Sequence, residues 1–152
     1  MNLYGTRFGD IDYAENDIVH FSEGMIGFTA YQDYIVVNTK EGSPFKWLQS
    51  VDEPKLAFLV SMPNFFVDEY SPEICDEEAF ALRLTPDTQY LVLVTTTIPA
   101  GKPKEATANL AAPIIINLET RHAKQVILED QAYTIRYPIF SGAQDGAKLA
   151  AA

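Results

Sequence analysis

One cysteine, two histidines, one tryptophan and 11 basic side chains in 152 residues are small holdings, and each scarcity removes a class of protein. A lone Cys75 cannot staple a secreted mini-domain, which favours a reducing compartment. His20 and His122 are far apart in sequence and have no companion with metal-ligand spacing. Against 21 acidic side chains the 11 basic ones leave a net charge of -10, so direct binding of nucleic acid is disfavoured, because phosphates need a basic footprint. No apolar run approaches the roughly 20 residues of a membrane span; YLVLVTTTI and PIIINL are strand-sized. The opening MNLYGTRFGDIDY lacks the basic-then-apolar pattern of a signal peptide, and the expected location is the cytoplasm.

What is present is material for one core. An apolar content of 47% with 12% aromatics is globular, and the expected domain runs over residues 1–140. The last stretch, 141–152, is small, polar and aperiodic, ends in KLAAA, and is set aside as a disordered or vector-derived tail. Strand signals dominate: YIVVNT (34–39), FKWLQS (45–50), LAFLVSM (56–62), YLVLVTTTI (90–98) and PIIINL (113–118) are short runs, several rich in β-branched residues, separated by Gly or Pro turns. QAYTIRYPI (131–139) alternates with period 2 and predicts a further strand, with Pro138 at an edge or end. AKQVILEDQAY predicts two strands joined at Glu129 and Asp130. Only Ser71-Pro72-Glu73 and the following ICDEEAFALRL signal a helix, between about Glu73 and Ala79. The fold class is therefore all-β, a small antiparallel barrel-like fold with at most one or two short helices.

Residues able to carry chemistry are few. In IVHF, strand alternation points His20 opposite Val19 and Phe21, a half-exposed position, and His122 beside Arg121 reads as a solvent-facing turn residue. The acids around Cys75 make it a poor nucleophile. Asp68, Glu69, Glu73, Asp76, Glu77 and Glu78 crowd one stretch without matching a calcium loop, which reads as a solvated acidic face or a basic partner's docking surface. An enzyme would need a polar pocket holding a histidine beside a carboxylate; no enzyme, metal or cofactor is expected. The sharpest local feature is FSEGMIGF (21–28). Its glycines lack phosphate-loop spacing and Glu23 would repel an anion. Met25 and Ile26 at the turn are either a plug for the barrel end or an exposed anchor for another protein. Phe45 and Trp47 share a strand face and are expected in the core, while Asn109 and Asn117 are suited to satisfying turn or strand-end backbone groups.

Taken in order, FSEGMIGF, PFKWLQS (44–50), LAFLV (56–60) with Pro63, Asp68-Glu69-Tyr70, TANLAAPIIIN (107–117) and AKQVIL (123–128) resemble the bacterial flagellar assembly factor FliW family over about residues 1–140. Each motif is weak alone; the ordered set is specific. The resemblance implies a small all-β cytoplasmic protein, monomeric when free and without enzymatic activity, that binds flagellin and the translational regulator CsrA, a basic RNA-binding dimer. It implies a partner switch in which flagellin holds the protein until export consumes it, and the freed protein then relieves CsrA repression of the flagellin message. A flagellin-specific chaperone without a regulator-binding role is the alternative. The contact candidates are Glu23, Met25, Ile26 and Phe28 together with Asp68, Glu69 and Glu73. One departure stands out: the family's turn commonly reads G-L-P-G-F, and this chain has Met25-Ile26 where Leu-Pro is usual.

Overall fold

Alternating apolar runs bounded by turn residues pair with their sequence neighbours first, and the computed structural model, which describes residues 1–39, 41–128 and 133–140, follows that rule through its middle. Strands β1 (Asn2–Thr6) and β2 (Gly9–Asp12) form a separate hairpin. Then β3 (Ile18–Phe21), β4 (Asp33–Asn38), β5 (Phe45–Ser50), β6 (Ala57–Ser61) and β7 (Tyr90–Thr97) make a consecutive antiparallel meander. Strand β8 (Thr107–Ala108) lies against the C-terminal end of β7, and β11 (Tyr137–Pro138) covers β8.

Closure comes from the hairpin of β9 (Ile114–Asn117) and β10 (His122–Gln125). β9 runs antiparallel to β7, and β10 runs parallel to β3, so the pair fills the gap between the meander's two ends and gives a closed seven-stranded barrel. Inside it pack Phe21, Tyr34, Leu48, Leu93, Ile114 and Ile116, all buried, the Phe, Leu and Ile side chains each contributing roughly 1.5–3 kcal/mol by leaving water. A second cluster around Phe66, Val94, Leu110 and Ile139 lies under β8 and β11, and a third joins Leu82, Ile115 and Val126. The all-β barrel expectation is met.

Three readings are corrected. The helix, α1, spans Asp76–Ala81, later than the stretch from Glu73 to Ala79, because Ile74 packs into the third cluster while Pro72 and the approach to Cys75 stay outside the helix. Its end is a Schellman motif: the amides of Arg83 and Leu84 donate to the carbonyls of Phe80 and Ala79. Among the described residues, the long strand at QAYTIRYPI is reduced to Tyr137–Pro138; Thr134 Oγ1 accepts the Arg136 amide and bends the chain, leaving Ile135 exposed. Pro138 does lie on the sheet's terminal strand. Trp47 is half-buried outside the main core, under the Arg7 guanidinium and against Phe8, whereas Phe45 does pack against the second cluster. Residues Glu129 and Asp130, the expected turn, and the tail 141–152 lie outside the described residues.

Candidate functional site

The glycine turn closes one end of the barrel, and backbone geometry assigns its two apolar side chains to different places. Phe28 N–H donates to Met25 C=O at 2.8 Å, and Gly27 takes φ +87°, the third-position conformation for which a type II turn favours glycine. Gly24, at φ +69°, has a second constraint: a Cβ there would lie 2.7 Å from Thr29 Cα. Between them Met25 turns inward and is 1% exposed in the main core. Ile26 turns outward and is 51% exposed. The turn is thus plug and projection at once, and Met25 is corrected from contact candidate to core residue. Phe28 lies edge-on to Phe58 with centroids 5.1 Å apart. The Ile26 amide, which a proline at that position would lack, is taken up by Gln125 Oε1 at 3.1 Å.

Around Ile26 lies an acidic rim. Lys124 Nζ, on β10, bridges Glu23 Oε2 at 2.9 Å and Glu78 Oε1 at 2.6 Å, tying the turn to α1. These bonds, led by Glu78, raise the ammonium above its ordinary range. Two adjoining clefts share Glu78 and Ile127: one of about 390 Å³ against Glu23, Ile26 and Lys124, and one of about 470 Å³ against Glu73, Glu77, Val126 and Leu128. Glu73 and Glu77 have no ion-pair partner among the described residues. The result is an apolar floor with exposed Ile127 and Ile26 flanked by four carboxylates, two of them, Glu23 and Glu78, paired to Lys124.

The family model for the FliW protein matches residues 2–139. The chain belongs to the FliW family. A flagellar assembly factor FliW from Caldanaerobacter subterraneus subsp. tengcongensis is 40% identical over 140 residues, covering 91% of this chain and 93% of the relative. Another, from Leptospira biflexa, is 38% identical over 145 residues and covers 95% of each. A crystal structure of the flagellar assembly factor FliW superimposes with a TM-score of 0.84 at 31% identity, over 92% of this chain and 97% of that one. This FliW-family chain is accordingly a flagellar assembly factor.

Of the contact candidates, Glu23, Ile26 and Glu73 come together on the two clefts, while exposed Asp68 and Glu69 line neither. Lys124 and Ile127 were missed. Val126-Ile127-Leu128 carries the signal for Ile127, since three consecutive apolar residues cannot all face one side of a strand. Both asparagines act as expected: Asn109 Oδ1 accepts the Ala111 amide, and Asn117 accepts from Glu119 and Thr120 and donates to Leu82 C=O.

His122 is not a turn residue. It sits on β10 as the parallel cross-strand partner of His20, edge-on at 5.7 Å, and His20 Nδ1 in turn lies 2.6 Å from Asp33 Oδ1. The row is half-exposed and borders none of the clefts described here. Among the described residues, no group of three His, Cys, Asp or Glu side chains is arranged to hold a metal ion, and no helix is long and apolar enough to cross a membrane.

Proposed function

We propose that this flagellar assembly factor is a cytoplasmic regulatory binding module, monomeric when free, that binds flagellin and CsrA and relieves CsrA repression of flagellin translation. The observation that carries the reading is the acidic rim around Ile26 and Ile127. Carboxylates steer a basic partner into encounter, and an exposed apolar floor supplies the short-range contact that holds it. A net charge of -10 suits binding the regulator rather than its RNA. Calorimetry with flagellin and with CsrA from the source organism tests it, followed by competition against labelled leader RNA. Binding of both, with RNA released from CsrA, is the expected result. Binding of flagellin alone sinks the regulator role in favour of the chaperone alternative, and binding of neither at micromolar concentrations and low salt sinks both.

A further inference from the structure

β6 and β7 part company partway along the barrel wall. They pair at Ser61↔Val94 and Val60↔Thr95 and not beyond. Past that point Ala57–Leu59 and Thr96–Ile98 flank an opening of about 790 Å³, bordered also by Trp47, Ile26 and Arg7.

Neighbouring ladders fix where the backbone groups in this opening point. Along an antiparallel strand, alternate residues direct their N–H and C=O to opposite edges. Ser50 N–H donates to Leu56 C=O, so Leu56, Phe58 and Val60 address β5, and Ala57 and Leu59 address β7. Asn109 N–H donates to Thr95 C=O, so Thr95 and Thr97 address β8, and Thr96 and Ile98 address β6. The peptide groups of Ala57 and Ile98 therefore turn into the opening, past the last pair of their ladder. Such an edge is a template for another extended chain.

The side chains around it narrow the choice of occupant. Trp47 and Leu59 are cross-strand partners, and Ile98 is exposed, which gives apolar walls. Arg7 holds its guanidinium 4.2 Å from the Trp47 ring centroid and is, among the described residues, the one charged side chain on the opening, a cation in a chain of net charge -10. We infer that the divergence of β6 and β7 is a docking slot for an extended, apolar peptide segment of a partner protein that carries a carboxylate for Arg7. Backbone pairing with Ala57 and Ile98 holds the segment, the apolar walls take alternate side chains, and Arg7 sets its register by a charge-assisted hydrogen bond.

The test needs no named partner. Random 12-residue peptides displayed on phage are selected on the whole chain, and enriched sequences are remade with a fluorophore for anisotropy titration. Enrichment of alternating apolar residues beside Asp or Glu is expected. Arg7→Glu should weaken binding more than tenfold with its circular dichroism spectrum unchanged, and Arg7→Lys should weaken it less. N-methylation of the peptide should abolish binding only at alternate positions, the signature of strand pairing. Failure to enrich any such sequence, equal affinity for Arg7→Glu, or indifference to N-methylation overturns the slot. A dimer in sedimentation that Arg7→Glu disperses overturns the choice of occupant. Loss of flagellin or CsrA binding in calorimetry would sink the function proposed above and leave this result standing.

Discussion

The glycine turn divides two surfaces of opposite construction. On one side, the clefts at α1 and β10 present carboxylates on side chains around an apolar floor; on the other, the gap between β6 and β7 presents backbone edges, apolar walls and the cation Arg7. The first works at a distance and is weakened by salt. The second works only in contact and selects an extended conformation before it selects a sequence. Ile26 borders both, so the two proposed modes of recognition meet at one projecting residue.

The largest effect should come from removing the boundary between them. Met25→Arg places a charge in the barrel core and should cost roughly 3–5 kcal/mol, read as a large drop in the denaturant midpoint and loss of both surfaces together; a near-native midpoint would mean that Met25 does not plug the barrel. Next is alkaline pH, which acts beneath both surfaces. Burial foremost, then Asp52 and Tyr31, push the Tyr34 phenol up to about 12, its hydroxyl lacking a hydrogen-bond partner among the described residues, and burial also raises Tyr70. The unfolded chain ionises first, near pH 10, so stability should fall as pH rises from about 10 toward 12, with the raised Lys124 acting in the same direction. Urea midpoints at pH 9 and 11.5 measure this, and Tyr34→Phe should flatten the decline.

Charge reversal separates the surfaces. Glu73→Lys with Glu77→Lys should reduce affinity for CsrA, the proposed partner, about tenfold at low salt, chiefly through the association rate, and leave the peptides selected on the β6/β7 opening unaffected. The smallest effect concerns the helix beneath the acidic rim. Arg83 closes α1 at φ 57°, a conformation costing a non-glycine residue about 1 kcal/mol, so Arg83→Gly should raise the thermal midpoint slightly and change neither surface.

The meander was legible because β4 to β7 and β9 are local apolar runs that announce themselves by period and by Gly or Pro at their ends. The failures share a cause, which is that a distant partner decides. Tyr133 to Ile139 alternates as a strand does, yet Leu110 N–H donates to Thr134 C=O and Thr134 bends the chain, so the periodicity spans a turn. His20 and His122 meet only through a parallel pairing between strands far apart in sequence. The gap at β6 and β7 follows from register, which no single strand reveals. Even FSEGMIGF yielded its turn but not which of Met25 and Ile26 faces inward, since that depends on the φ angles of the flanking glycines.

The closing hairpin bears on how the chain is made. β9 and β10 are the pieces that fill the space between β7 and β3, and they are synthesised after the five strands of the meander. Until they emerge from the ribosome, the nascent sheet holds two bare edges, at β3 and at the first half of β7, with one apolar face uncovered. An assembly factor with this topology holds open strand edges until its closing hairpin is in place, and those early edges are the first unpaired strands that must be kept from the wrong partner.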